Sequence, residues 1–286
     1  MRALAEFIMR GRVQAAVVAL LGSWFPLISP ATVALVCLRR GATDGLQILV
    51  WALLPAAVAL VASHLGPLMA MATVAGLIAV YLAALLLRNS VSWAYAMMGL
   101  VALSTLAALL LAMMVPDPVQ GLTEALGGVM EQMQTQAPEA QAPTVALPSE
   151  TFVVGLIAYV IALNGLMSLL LARWWQAVLY NPGGFQAEFH QLRLTAPQSL
   201  VCMAAALYCL AQPSDYHTWG SVFALPLVIV GVAIVHYTVK ALKLGGHWLV
   251  MFYLAVLFFS PVALALTVIA FVDTWVNIRG RIKPRV

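Results

Sequence analysis

Long apolar runs separated by short polar stretches make up most of the chain. A helix that crosses a bilayer needs roughly 20 mostly apolar residues, and six of the runs come close to that length with few or no charges inside them. They cover residues 44–63, 66–87, 91–115, 151–172, 197–212 and 222–241. The pattern predicts an all-α, polytopic transmembrane helix bundle.

Two further apolar runs, 13–38 and 248–278, are interrupted by proline, at Ser29-Pro30 in the first and Ser260-Pro261 in the second. Proline lacks an N–H group and breaks a helix. Each run therefore predicts a hairpin that enters and leaves on the same face of the membrane and turns at its Ser-Pro step. Alternatively, both runs are kinked full spans, which gives eight spans in all.

The distribution of Lys and Arg separates these two topologies. Eight spans would divide the 14 basic residues evenly between the two faces, although cytoplasmic loops normally carry an excess. Six full spans plus two proline-broken terminal hairpins place all 14 on one face. We therefore expect a multi-pass protein of the bacterial cytoplasmic (inner) membrane, with both termini in the cytoplasm.

Composition leaves little room for a soluble domain. Hydrophobic residues make up 64% of the chain and charged residues only 8%, whereas soluble domains carry about 25% charged residues. The sequence predicts a single membrane domain over residues 1–286, surrounded by the lipid bilayer. Its polar stretches predict an extracytoplasmic loop with a short amphipathic helix at 116–150 and a cytoplasmic interfacial segment at 180–195.

Motifs of soluble enzymes do not occur in the sequence. It has no glycine-rich nucleotide loop, no His-Glu-x-x-His and no nucleophile elbow. Cys37, Cys202 and Cys209 lack the spacing of metal ligands, and basic residues stand in ones and twos at the ends of apolar runs. The sequence therefore predicts no enzyme activity, no catalytic residue, no metal, no cofactor and no nucleic-acid partner.

Three polar residues inside apolar runs are candidate ligand-binding residues: Asn164, Ser29 and Ser260. Polar side chains at membrane depth are costly and often mark a functional site. Asn164 would hold a ligand through its amide or donate a hydrogen bond to a neighbouring helix. The two serines would satisfy backbone groups at the hairpin turns or line a ligand site beside Asn164.

Asp273 is the fourth candidate, because it is the one carboxylate inside the C-terminal apolar run. It would accept a proton, bind a cation or form a structural ion pair. Arg279 is the nearest basic residue in sequence, but a spacing of six residues is unfavourable for contact along one helix. Arg39 or Arg40 from another segment is therefore an alternative partner.

The cytoplasmic face holds a second set of candidate residues. Segment 180–195 alternates apolar and polar positions and lies along the predicted membrane surface, either as a contact for a protein partner or as a plain connector. The residues predicted to face such a partner are Arg39, Arg40, Glu188, His190, Arg193 and Arg279.

Two stretches of the chain resemble a known family. One runs from Arg173-Trp174-Trp175-Gln176 through Asn181-Pro182-Gly183-Gly184-Phe185 to Leu192-Arg193-Leu194; the other includes Leu225-Pro226 and the ending Asp273-Thr274-Trp275-Val276-Asn277-Ile278-Arg279-Gly280-Arg281. Together they resemble the YybS-like family of bacterial membrane proteins, whose function is unknown.

That family is similar in fold to the substrate-binding components of energy-coupling-factor transporters. Those components are bundles of about six helices that hold a vitamin or metal ion and dock on a separate subunit coupled to an ATPase. Many dock through an Ala-x-x-x-Ala face on the first helix, and Ala15 and Ala19 have that spacing. The resemblance carries over no ligand-specific residue set.

Two functional hypotheses follow. The first is a membrane-embedded binding or transport component for a small solute, without its own ATPase, whose site lies near the middle of the bundle. The alternative is a non-transporting membrane scaffold that binds a protein partner through its cytoplasmic face. A polar-lined central cavity would favour the first hypothesis, and a solid core would favour the second.

Overall fold

The computed structural model describes residues 1–62, 67–115 and 148–282. These residues form thirteen helices and no strand. In chain order the helices are α1 (Arg2–Arg10), α2 (Arg12–Leu21), α3 (Ile28–Arg40), α4 (Ala42–Ala62), α5 (Pro67–Ser90), α6 (Trp93–Met114), α7 (Glu150–Tyr180), α8 (Gly184–His190), α9 (Ala196–Leu210), α10 (His217–Ala241), α11 (His247–Phe258), α12 (Ser260–Val276) and α13 (Ile278–Arg281). The amphipathic helix predicted within 116–150 falls largely on residues 116–147, outside the described ranges.

Five of the described helices, α4, α5, α6, α7 and α10, are long and apolar enough to cross a membrane. This confirms the predicted all-α bundle and makes the chain a multi-pass membrane protein. The run at 197–212, predicted as a sixth span, forms the shorter helix α9. Its 15 residues extend about 22 Å at 1.5 Å per residue, less than the hydrocarbon thickness of about 30 Å.

Helix α7 is the central element of the bundle and packs against α3, α5, α6 and α10. The Ser149 side chain caps its first turn by accepting a hydrogen bond from the Phe152 N–H. The sequence predicted an end at residue 172, but the helix continues to Tyr180. Beyond residue 172 the half-buried Arg173 guanidinium forms an ion pair with Glu188 of α8, at 2.9 Å.

The N-terminal hairpin is formed by α2 and α3. The Arg40 guanidinium at the end of α3 donates a hydrogen bond of 2.6 Å to the Met9 carbonyl, just before α2 begins. Arg12, the first residue of α2, forms an ion pair with Asp44 at the start of α4. The start of α2 and the end of α3 therefore lie at the same end of the bundle, which matches the predicted hairpin.

The turn of this hairpin is not where the sequence predicted it. A 3₁₀ turn at Gly22–Trp24 ends α2, and the chain reverses before Ile28. Ser29-Pro30 lies in the first turn of α3, where proline is tolerated because the first N–H groups of a helix have no partner within it. The prediction that this Ser-Pro step forms the turn was wrong by a few residues.

The C-terminal hairpin is formed by α11 and α12, whose axes meet at 112° across a break at Phe259, immediately before Ser260-Pro261. Helix α12 packs along α10. The chain segments on both sides of the hairpin contact α8. Lys240, which precedes the hairpin, donates to Gln186, and Arg279, which follows it, donates to the His190 carbonyl. The break agrees with the predicted position.

One end of the bundle gathers the positive charge. From Arg10 to Arg281, every Lys and Arg of the described residues lies at the end where both hairpins begin and finish, which we call the basic end. Among the described residues from Arg10 onward, the opposite end carries Glu150 and Asp215 and no Lys or Arg. The charge pattern therefore agrees with the hairpin topology.

Close packing of α10 and α12 depends on Gly231. A Cβ atom on this residue would lie 2.6 Å from the Leu266 carbonyl oxygen, and backbone cannot yield as a flexible side chain does. We expect Gly231→Ala to lower the free energy of unfolding by about 1–3 kcal/mol through overpacking. Unfolding of the detergent-solubilised protein, followed by circular dichroism, measures this effect.

Gly76→Ala is the matched control, since Gly76 is also a glycine inside a spanning helix and its added Cβ would meet only Ile161, at an ordinary 3.9 Å. It should not lower the free energy of unfolding and should raise it by up to about 1 kcal/mol, because alanine has the higher helix propensity. Equal losses in both variants would contradict the α10–α12 contact.

Candidate functional site

A cavity of about 360 Å³ lies where the tip of the N-terminal hairpin meets α4, α5 and α7. Its described lining comes from residues 23–30 of the hairpin, from 52 and 56 of α4, from 68–77 of α5 and from 153–164 of α7. Its volume lies at the lower end of the range for small-molecule pockets, which is about 300–1,000 Å³. Two of the four predicted ligand-binding residues, Asn164 and Ser29, line this cavity.

Asn164 joins the hairpin tip to the central helix. Its side-chain amide donates a hydrogen bond of 3.0 Å to the Pro26 carbonyl, and its Oδ1 accepts a long bond of 3.5 Å from the Ser168 hydroxyl. An asparagine amide carries two N–H donors and a carbonyl with two lone pairs. Asn164 therefore supports the hairpin and still has hydrogen-bonding capacity on the cavity wall.

Ser29 has no hydrogen-bond partner for its hydroxyl among the described residues, although it is 98% buried (2% exposed). Leaving such a group unsatisfied costs about 1–3 kcal/mol. Ser29 lines the cavity, but its hydroxyl oxygen is covered in this conformation, so rotation of the side chain about χ1 would bring the hydroxyl to a molecule in the cavity. The arrangement is what a polar anchor point in an apolar pocket requires.

Helix α5 supplies a wall of the cavity that the sequence analysis missed. Thr73 and Gly76 both line it. The Thr73 hydroxyl donates to the Met69 carbonyl of its own helix, at 2.9 Å, and Gly76 leaves open space where a side chain would fill the pocket. Thr73 is a polar residue inside an apolar run, so the same criterion that selected Asn164 could have selected it.

Asp273 lies apart from the cavity and forms a buried ion pair. Its Oδ2 accepts hydrogen bonds from Arg279 Nε at 3.2 Å and Nη2 at 2.8 Å, and Arg193 Nε approaches to 3.4 Å. The Arg279 guanidinium also donates to the His190 carbonyl at 2.7 Å. Asp273 is thus a structural residue that joins α12, α13 and α8, and the arrangement leaves no role for it in the cavity.

The partner of Asp273 is Arg279 rather than Arg39 or Arg40. Asn277 adopts a left-handed conformation (φ 51°) that ends α12 and turns the chain back, so the six-residue spacing no longer runs along one helix. Asparagine is among the residues that tolerate this conformation best. The expected alternative partners were wrong because the spacing argument assumed a continuous helix.

Ser260 is the first residue of α12 and is exposed. It does not line the cavity that holds Asn164 and Ser29. The prediction that both Ser-Pro steps contribute to one ligand site was therefore wrong. The two hairpins differ because α7 packs against α3 beside the first tip, whereas α11 has no buried residue.

Most of the residues predicted to face a partner make contacts within the chain. The Arg39 guanidinium stacks on the Tyr180 ring at 4.1 Å. Glu188 accepts hydrogen bonds from Arg173 and from the Trp93 indole N–H, and Arg193 donates to Asn277. These bonds hold segment 180–195 against the bundle, and Arg40 bonds the Met9 carbonyl as described above.

His190 and Arg279 are buried, with 8% and 5% of their surface exposed. Their prediction as partner-facing residues was wrong, because the Asp273 ion pair draws α13 onto α8 and covers both side chains. Burial lowers the pKa of His190, and the nearby cations Lys240 and Arg279 lower it further. The imidazole is therefore neutral at physiological pH and adds no charge to the basic end.

Comparison of the chain with protein-family models, with curated proteins and with solved structures gives no match in any of the three. The resemblance to the YybS-like family stays a prediction from the sequence.

The ion pair around Asp273 leads to a stability prediction. Asp273→Asn removes the negative charge and leaves Arg279 buried without its counterion. Breaking a buried pair in this way typically costs about 3–5 kcal/mol, so we expect a loss of that size in the free energy of unfolding. A titration of the mild-detergent protein with a denaturing detergent, followed by circular dichroism, measures the change.

The exposed Arg2–Glu6 pair is the matched control. Glu6→Gln should change the free energy of unfolding by less than about 1 kcal/mol, because surface ion pairs contribute little. Similar losses in the two variants would contradict a stabilising role of the Asp273–Arg279 ion pair.

Proposed function

We propose that the protein is a membrane-embedded binding component for a small solute, and that it takes part in transport without an ATPase of its own. The cavity at the hairpin tip carries the proposal. It combines apolar walls with the buried, unpartnered Ser29 hydroxyl and the Asn164 amide, and such a pocket near the middle of a helix bundle is where a transporter-like protein holds its ligand.

Broken helices support a transport role. Unwound backbone at membrane depth is tolerated only where protein or a wet cavity shields it, and in transporters it commonly borders the binding site. The Gly22–Leu27 turn is such a segment, and it borders the cavity. Since the sequence lacks a nucleotide-binding loop, the energy for transport would come from an ion gradient or from a separate subunit.

A docking face for such a subunit would differ from the one that the resemblance implied. Ala15 and Ala19 are fully buried within the bundle, where α2 packs against α3 and α4. An Ala-x-x-x-Ala face is therefore not free to receive another protein. A coupling subunit would bind elsewhere, and α11 is the one α-helix of the described residues that has no buried residue.

The scaffold hypothesis draws less support from the described residues. It needs a polar cytoplasmic surface open to a partner, yet His190 and Arg279 are buried and Glu188 is held by Arg173 and Trp93. The basic end is organised around contacts within the chain. We therefore favour the binding hypothesis.

Membrane orientation is part of the proposal. The basic end would face the cytoplasm of a bacterial cell, because Lys and Arg accumulate on the cytoplasmic side of inner-membrane proteins. Both termini would then lie in the cytoplasm.

A cavity-filling variant tests the binding function. Gly76→Phe places a ring in the cavity, where the added Cβ meets nothing closer than Ile161 at 3.9 Å. Purified wild-type protein, incubated with a small-molecule extract of bacterial cells and washed, should retain at least one compound by mass spectrometry. We expect Gly76→Phe to reduce retention at least about tenfold, which corresponds to 1.4 kcal/mol.

Ile78→Phe is the matched control, because Ile78 lies on the same helix, is 40% exposed and does not line the cavity. It should retain the compound as wild type does. Size-exclusion profiles and circular dichroism establish that both variants are folded. Unchanged retention in folded Gly76→Phe would refute the cavity as the binding site.

Accessibility of engineered cysteines tests the orientation. The native cysteines are buried, so wild-type protein should react little with a membrane-impermeant maleimide. In intact spheroplasts, Asp215→Cys at the opposite end should be labelled, whereas Lys243→Cys at the basic end should be labelled only after permeabilisation. The reverse pattern would place the basic end outside.

A further inference from the structure

The charge of the cavity restricts its ligand. None of the described lining residues is Asp, Glu, Lys, Arg or His. Moving an ion from water into an apolar pocket is strongly unfavourable unless an opposite charge meets it. An anion, a cation or a zwitterion would find no such counter-charge on the described walls, whereas a neutral molecule needs none.

Apart from Thr73 of α5, whose hydroxyl bonds its own helix, the polar groups of the described lining lie at the hairpin tip and at Asn164 beside it. Asn164 bonds the Pro26 carbonyl, and Ser29 follows Pro26 by three residues. Towards the opposite end the lining is apolar, with Leu68 in the first turn of α5 and Val153 near the start of α7. A ligand with one hydrogen-bonding group would therefore place that group at mid-depth and its apolar body towards the opposite end.

The cavity also borders the lipid. Val160 lines it and is 55% exposed, although it lies ten residues after Glu150, about 15 Å along α7. Thr73, six residues into α5, is exposed as well and lines the same cavity. At this depth the surroundings of a membrane protein are acyl chains. The described rim therefore opens sideways into the bilayer.

We infer that the ligand is a neutral, lipid-soluble molecule that enters from the bilayer and bonds Ser29 and Asn164 through a single hydroxyl or carbonyl group. This inference rests on the proposed function, because it names the class of ligand for the same cavity. Nucleotides, amino acids and inorganic ions do not fit this inference, since each carries charge.

Photolabelling with two matched probes tests the inference. The probes are an eight-carbon alcohol that bears a diazirine and the carboxylic acid of the same length, which is ionised at pH 8. The full-length protein is labelled in nanodiscs of zwitterionic lipid, and the labelled residues are located by mass spectrometry. We expect the alcohol to label lining residues such as Met69 and Ile157 at least about fivefold more than the acid does, and 1-octanol to compete.

Two serine variants identify the anchor. Ser29→Ala and Ser104→Ala each remove a buried hydroxyl that lacks a partner among the described residues, but only Ser29 lines the cavity. Neither substitution breaks a hydrogen bond, so both variants should fold. The concentration of 1-octanol needed for half-maximal competition should rise about two- to tenfold in Ser29→Ala and stay unchanged in Ser104→Ala.

The outcomes separate this inference from the proposed function. Equal labelling of lining residues by the alcohol and the acid would overturn the neutral class and leave a binding cavity in place. Labelling confined to lipid-facing residues such as Ile78 would show partition into the bilayer only and overturn the inference. If wild type retains a charged compound and Gly76→Phe does not, the proposed function is supported and the lipid-soluble ligand is rejected. If Gly76→Phe keeps both the retention and the labelling of wild type, the proposed function and this inference are both rejected.

Discussion

The hydrogen bond from Asn164 to the Pro26 carbonyl meets the main physical constraint on this fold. A chain that turns inside a membrane exposes carbonyl groups that no water can satisfy, and each unmet group is costly. The Pro26 carbonyl is exposed in this way at the hairpin tip, and the Asn164 amide at the middle of α7 satisfies it. The hairpin therefore has to dock beside α7, and the cavity forms in the space that its turn leaves.

Much of the fold could be predicted from the sequence because its signals are local. Apolar runs predicted the five long helices and their order, although the run at 197–212 forms the shorter α9. Proline together with the one-sided charge pattern indicated both hairpins. The exact turn could not be predicted, since both Pro26 and Pro30 are compatible with a break. Only the docking of the tip on α7 decides between them, and that contact spans 138 residues of sequence.

The candidate site was partly predictable for the same reason. Asn164 and Ser29 are conspicuous as polar residues inside apolar runs, and the structure brings both to one cavity. Ser260 carries the same sequence signal as Ser29 but is exposed at the second tip and does not line the cavity. Asp273 looked like a ligand residue until the left-handed Asn277 brought Arg279 onto it. Polar residues inside apolar runs therefore identify side chains that are costly to bury, but only the packing shows which groups form hydrogen bonds with them.

Hydrogen bonds from α5 to other helices are concentrated in one half of that helix. Near the basic end, Arg88 donates to the Leu38 carbonyl and Tyr81 to the Ala42 carbonyl, so this half of the helix is bonded to α3 and α4. In the cavity half, the Thr73 hydroxyl bonds its own helix, and no described hydrogen bond joins residues 67–80 to another helix. A wall held by apolar contacts can part from α7 without leaving a polar group unsatisfied in lipid. A sideways opening therefore costs least in this half of α5, which is the half that lines the cavity.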